Sequence, residues 1–173
     1  MTLDNLTLVL GGVRSGKSRH GEALVEAAPP PWYYIATAEA LDDEMRRRID
    51  NHRKRRGDGW RTVEAPLDLA AALDAAPDGA PVLVDCLTLW LNNLMIEDRP
   101  VGPAEDGLIE ALERRNGRTV LVSNEVGLGI VPENRLARDF RDAAGSLHRR
   151  VAAVAQHVHF MVAGIPTIVK GTE

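Results

Sequence analysis

The sequence predicts an α/β fold, a mostly parallel sheet with helices on both faces, forming a single domain over 1–173. Two observations predict it. Short apolar runs alternate with helical patterns along the whole chain, the order of strand and crossover helix in a parallel sheet. Between the first run and the first helix stands GGVRSGKS, Gly11 to Ser18, which fits G-x-x-x-x-G-K-[ST]. That pattern is a phosphate loop where a strand precedes it and a helix follows, because its backbone N–H groups turn inward at a helix N-terminus. The fold read from both is P-loop NTPase-like.

The elements follow in order. An apolar strand at Thr7–Leu10 leads through the glycine-rich loop to a helix at Lys17–Ala28, which Pro29 to Pro31 stop. Trp32–Ala36 is the next strand, and a charged helix runs from about Leu41 to Arg56, closed by Gly57 and Gly59. Arg61–Glu64 reads as a short strand, Leu67–Ala76 as a short helix, Pro81–Val84 as a strand and Leu87–Met95 as a helix. Glu97–Pro103 reads as a loop, Ala104–Arg115 as a helix and Thr119–Val122 as a strand. Asn134 to Gln156 is a long amphipathic helix with Leu136, Phe140, Ala143, Leu147, Val151 and Val154 on one face. A strand at Val158–Val162 and an extra one at Thr167–Lys170 end the chain. Right-handed crossovers bring the C-terminal ends of the parallel strands, and the loops after them, to one edge.

Composition narrows the function. The 173 residues are 45% hydrophobic and 27% charged, a globular balance. Lys and Arg number 21 against 25 Asp and Glu, a formal charge of -4 that argues against a general nucleic-acid binder. Cys86 is the only cysteine, so no intrachain disulfide forms. No apolar run reaches membrane-spanning length, and MTLDNLTLV lacks a basic n-region. The expectation is a cytoplasmic enzyme.

Its chemistry centres on the loop. Lys17 is expected to reach the β/γ-phosphates of a nucleoside triphosphate, and the Ser18 hydroxyl to ligate Mg²⁺. VLVD, Val82 to Asp85, is an apolar strand ending in an acid, the shape of a Walker B element whose carboxylate serves Mg²⁺. Cys86 beside it reads as a small packed side chain. In the charged helix Leu41, Met45 and Ile49 form an apolar stripe that continues into His52 and Arg56. By spacing alone His52 is a core histidine, part of a dipole-favoured basic end, part of a nucleic-acid patch, or a phosphorus nucleophile flanked by Arg53, Lys54, Arg55 and Arg56. Ser123, Asn124 and Glu125 follow a strand and so fall on the ligand edge. Arg135, Arg138, Asp139, Arg141 and Asp142 suit a solvated or subunit-contacting face. A switch GTPase is opposed by the absence of N-K-x-D and by a single D-x-x-G, Asp142 to Gly145, inside the long helix.

GGVRSGKSRHGE, YIATAEALDDEMRRRIDNHRKRR, DCLTLWLNNL and SNEVGLGIVPENRLARDFRDAAG together resemble the bifunctional adenosylcobinamide kinase / adenosylcobinamide-phosphate guanylyltransferase family of cobalamin biosynthesis, over nearly the whole chain. The resemblance implies two reactions. One phosphorylates the aminopropanol hydroxyl of adenosylcobinamide with ATP or GTP. The other transfers GMP from GTP to that phosphate, giving adenosylcobinamide-GDP and pyrophosphate. It implies that a histidine matching His52 carries GMP as a phosphoramidate. Some relatives have a second histidine directly before it, where this chain has Asn51. It places the nucleotide against Gly11, Gly12, Val13, Arg14, Ser15, Gly16, Lys17 and Ser18, and against Ala36, Thr37, Ala38, Arg53, Lys54, Arg55, Arg56, Glu64 and Asp85. Mg²⁺ would sit at Ser18 and Asp85, and the protein would be a homo-oligomer, a trimer. The competing readings are guanylyl transfer alone, a small-molecule P-loop kinase of another pathway, and a nucleic-acid-dependent ATPase. The acidic charge and the lack of interleaved aromatics oppose the last.

Overall fold

Along each central strand, neighbouring apolar residues enter two different cores, as the period of two requires. Leu8 packs on one side and Val9 on the other, Val82 and Val84 oppose Leu83, and Leu121 opposes Val120 and Val122. A strand buried on both faces reads as a continuous apolar run, which is why VLV at 82–84 and VLV at 120–122 carry no alternation.

The computed structural model describes residues 3–39 and 56–172. Its strands are β1 (Leu3–Gly11), β2 (Trp32–Ala36), β3 (Trp60–Glu64), β4 (Val82–Asp85), β5 (Thr119–Asn124), β6 (Ala155–Val162) and β7 (Ile165–Lys170). Its helices are α1 (Lys17–Glu26), α2 (Leu69–Ala75), α3 (Leu87–Ile96), α4 (Val101–Arg114) and α5 (Arg135–Val154). One seven-stranded sheet runs in the order β3-β2-β4-β5-β1-β6-β7. All pairs are parallel except β6–β7, a hairpin turning at Ala163 and Gly164. The mostly parallel sheet with helices on both faces is therefore what forms. Residues of α2, α3, α4 and α5 share one core with Leu6, Leu8, Ile35 and Leu121, whereas α1 contributes Val25 to the other.

Several boundaries differ from the sequence reading. The chain from Glu97 to Pro103 is not all loop: α4 begins at Val101 and takes Pro103 into its first turn, where a missing N–H costs no helix bond. Strand β5 runs on through Ser123 and Asn124, so Ser123 is a fully buried strand residue and not part of the loop after it. In α5 the buried residues are Ala144, Leu147, His148 and Val151, and Leu136 is 68% exposed because the first turns of the helix overhang the sheet. The helix expected from Leu41 to Arg56 falls, but for Arg56, outside the described residues.

The register aligns the site. Ala36 of β2 lies level with Glu64 of β3 and with Asp85 of β4, and Asp85 is level with Val122 of β5. On the other side of β5, Gly11 pairs with Asn124. The C-terminal ends of five parallel strands thus meet at one edge, beside the N-terminus of α1.

Candidate active site

Gly11 to Ser18 wrap from β1 into α1. Gly16, the residue before the helix, has φ 94, a left-handed conformation that a Cβ would strain. No side chain caps α1, so the first N–H groups of the helix face the loop without a side-chain acceptor. The Ser15 N–H donates to the Gly12 carbonyl at 3.3 Å, and the Lys17 ammonium donates to the same oxygen at 2.6 Å. Lys17 is buried to 8% exposure, folded back over its own loop. Ser15 Oγ is buried with no hydrogen-bond partner among the described residues. An orphaned hydroxyl beneath an uncapped helix end is the arrangement that an anion with several acceptor oxygens would satisfy. The turn of the β6–β7 hairpin holds the loop from outside, through the Gly164 N–H on the Ser15 carbonyl at 3.0 Å.

Against this cradle stands a second cluster. The Tyr34 hydroxyl donates to Asp85 Oδ2 at 3.1 Å, and the Arg56 guanidinium lies 3.4 Å from the centroid of the Tyr34 ring. Burial and the Asp85 charge push the Tyr34 pKa upward, so the phenol keeps its proton and remains a donor. Arg56 Nε and Nη1 are buried with no hydrogen-bond partner among the described residues. Two desolvated guanidinium nitrogens with idle N–H donors are costly unless an anion completes them. Burial likewise raises the Cys86 pKa, which leaves an inert thiol beside Thr88, as its reading as a packing residue expects. The Asp85–Cys86 peptide is cis.

Of the residues singled out from sequence, Gly11 to Ser18 form the turn from β1 into α1, and Ala36, Glu64 and Asp85 form one row at the strand ends. Ala38 is half-buried just beyond them, and Glu64 is exposed. Thr37 is fully buried, with a hydroxyl that accepts from the Cys86 N–H at 2.8 Å and donates to the Cys86 carbonyl at 2.7 Å. Its side chain is committed to holding the end of β4. His52, Arg53, Lys54 and Arg55 lie outside the described residues.

Three polar residues of this edge had no reading from sequence. Tyr34 is hidden in an apolar strand, Glu22 is buried on α1 at 7% exposure, and His148 is buried at 6% on α5. A signal existed for the last, since His148 falls between Leu147 and Val151 on the apolar face of an amphipathic helix. It bonds Ser123 Oγ at 2.7 Å, and burial lowers its pKa. The Thr88 hydroxyl accepts from the N–H of Asn124 at 3.0 Å and from its side-chain amide at 3.1 Å, tying the end of β5 to the start of α3.

Solved structures with this backbone include an ATPase domain that matches at a TM-score of 0.52 and 11% identity, covering 96% of this chain and 77% of that one. A type III secretion system ATPase of pathogenic bacteria matches at 0.54 and 10%, covering 95% and 56%. At such identities the likeness is one of fold, and it agrees with the strand–loop–helix reading of Gly11 to Ser18. Curated relatives span the whole length. The bifunctional adenosylcobalamin biosynthesis protein CobP of Pseudomonas aeruginosa is 50% identical over 167 residues, 95% of this chain and 96% of the relative. The proteins named CobU are 44% identical in Salmonella typhimurium and 42% in Escherichia coli, each covering 95% of this chain and 99% of the relative. The model of the CobU family, described as cobinamide kinase / cobinamide phosphate guanyltransferase, matches residues 7–169. With a glycine-rich strand–loop–helix turn at the edge of its sheet and relatives matched over 95% of its length, the chain belongs to the cobinamide kinase / cobinamide phosphate guanyltransferase family.

Proposed function

We propose that this chain phosphorylates adenosylcobinamide with ATP or GTP, then transfers GMP from GTP through a His52 phosphoramidate to adenosylcobinamide phosphate. The products are adenosylcobinamide-GDP and pyrophosphate. The observation that supports the reading is the pairing of the Lys17 loop with Arg56, which stacks on Tyr34 and whose Nε and Nη1 are buried with no hydrogen-bond partner among the described residues. A kinase needs the first. A nucleotidyl transferase also needs a cation away from the loop, where charge develops on the α-phosphoryl oxygens.

In the phosphoryl step the substrate hydroxyl attacks the γ-phosphorus in line, and the nucleoside diphosphate leaves into the loop amides and the Lys17 ammonium. In the guanylyl step the neutral His52 imidazole attacks the α-phosphorus of GTP. An N–P bond forms, the α–β P–O bond breaks, and pyrophosphate departs under the same cations. The adenosylcobinamide phosphate oxygen then attacks that phosphorus and releases His52. Arg53, Lys54, Arg55 and Arg56 offset charge around it, and Ala36, Thr37, Ala38 and Glu64 border the guanosine.

Ser18 and Asp85 are the residues that would hold Mg²⁺. Among the described residues no three His, Cys, Asp or Glu side chains cluster as a metal cage. One carboxylate and one hydroxyl are the hard-oxygen set that Mg²⁺ uses together with substrate phosphates and water. When bound, it supplies charge neutralisation on the bridging phosphate oxygens.

The chain acts as one unit over 1–173, a homotrimer in the cytoplasm with no nucleic-acid partner. The exposed side chains of Leu128, Ile130, Val131 and Leu136 support self-association, and no described helix is long and apolar enough to cross a membrane. Light scattering on the purified protein tests the trimer. Incubation with GTP carrying ³²P at either the α or the γ position, with and without adenosylcobinamide, tests the chemistry. The expected result is α-label on the protein when corrinoid is absent, and γ-label, together with α-label, on the corrinoid when it is present. Guanylyl transfer alone would give the first without the second. Hydrolysis stimulated by DNA or RNA, with no corrinoid turnover, would overturn the proposal.

A further inference from the structure

Strand β5 separates the strand that carries the phosphate loop from the strand that carries Asp85. The residue just past its end therefore stands between the two halves of the site. That residue is Glu125. Its N–H donates to the Gly11 carbonyl at 3.0 Å, which fixes its backbone to the start of the loop. Its side chain is 20% exposed; the Gly127 N–H donates to Oε1, and His148 Nδ1 lies 3.8 Å from Oε2.

His148 is not an ordinary packing residue of α5. It is buried, and its Nε2 is 2.7 Å from the Ser123 hydroxyl, itself fully buried in β5. The geometry assigns the protons. If Ser123 donates to Nε2, the hydroxyl proton is used and Nδ1–H faces the Glu125 carboxylate. In the other tautomer a lone pair would face a carboxylate and the Ser123 proton would have no acceptor. Hydroxyl, imidazole and carboxylate thus form one directed series from the core to Glu125, whose backbone is tied to the start of the loop. At 3.8 Å its last link is longer than a hydrogen bond, so it aims the carboxylate by charge and dipole without locking it. A carboxylate that must collect a proton requires that freedom.

We propose that Glu125 takes the proton of the substrate hydroxyl in the phosphoryl step, and that His148, set by Ser123, is the positioning residue that keeps it aimed at the loop. The inference rests on the kinase half of the proposed function. As the hydroxyl oxygen bonds to the γ-phosphorus, the γ-P–O bond to the leaving diphosphate breaks. The hydroxyl proton passes to a Glu125 oxygen, and the neutral acid then loses it to water at the exposed edge. The guanylyl half has no use for this base, because a neutral imidazole and then an ionised phosphate are its nucleophiles.

The test compares two rates on the full-length protein: γ-label transfer to adenosylcobinamide, and α-label uptake from GTP without corrinoid. Glu125→Gln should lower the phosphorylation kcat about a hundredfold or more, the usual weight of a general base. His148→Met should lower it about tenfold with KM unchanged, and Ser123→Ala should do so in the same direction. His148→Gln, which keeps a neutral donor near Nδ1, should recover most of the loss. The α-label uptake should stay within about twofold throughout. Equal loss of both rates, or His148→Gln as poor as His148→Met, would reduce His148 to a structural role and overturn the positioning claim. Glu125→Gln at the wild-type rate would overturn the base. A wild-type protein that labels itself but never phosphorylates adenosylcobinamide would overturn the kinase reading, and this inference with it.

Discussion

The Lys17 ammonium donates to the Gly12 carbonyl of its own loop at 2.6 Å. A phosphate bound at the loop would exchange that carbonyl for a charged acceptor and strengthen the contact. Lys17→Ala should therefore depress phosphorylation and guanylyl transfer together, each by about a hundredfold or more, in steady-state assays of the two reactions. Intact phosphorylation in the variant would mean that the two activities do not share one loop. His52 makes a different claim. His52→Ala should abolish α-label on the protein while phosphorylation of adenosylcobinamide persists. In wild type the label should survive alkali and be lost in acid, as a P–N bond is. Autoradiography after each treatment reads both. A third residue prediction concerns stability. His148 titrates below the usual histidine value because burial disfavours its charged form. Such a group stabilises the fold fully above the unfolded-state value of 6.5, and that contribution is lost as pH falls from there through the folded-state value. Urea midpoints taken from pH 7.5 to 5 should fall, and should fall less steeply for His148→Gln.

At the scale of elements, α1 is set by how closely it approaches the sheet. A Cβ on Gly21 would stand 2.9 Å from Leu83 Cδ1 and 3.1 Å from Val122 Cγ2. Gly21→Val should push the helix outward at a cost of about 1–3 kcal/mol. Because the same helix begins at Lys17, the KM for nucleotide should rise with the loss of stability. Denaturant unfolding and nucleotide saturation curves on one preparation test the coupling. If KM stays fixed while stability drops, the loop holds its shape through the Gly164–Ser15 hydrogen bond and owes little to the helix position. The strand–loop–helix unit was legible because a glycine-rich motif, an apolar run and a helical pattern coincide within Leu6 to Ala28. The start of α4 was not, because Pro103 reads as a breaker unless it is known to occupy a first turn.

For the whole molecule, the central strands are buried on both faces, so one side chain serves one core only. Leu8, fully buried in the core that the sheet shares with α5, should cost about 2–5 kcal/mol as Leu8→Ala, measured by chemical denaturation. A smaller loss would mean that the α5 side collapses into the space. The sequence alone determined the class of fold, the strand–loop–helix turn at Gly11 to Ser18 and the strand ends at Ala36, Glu64 and Asp85, since each is written in contiguous residues whose period or spacing has a local cause. The strand order, the coupling of Tyr34 to Asp85 and Arg56, and the Ser123–His148–Glu125 chain were decided only in three dimensions. The Tyr34–Asp85 bond spans 51 positions and the Ser123–His148 bond spans 25, and each begins from a single polar side chain among apolar neighbours. Local propensity is silent about both. What selects them is the requirement that every buried donor and acceptor be satisfied once the sheet has placed its strands.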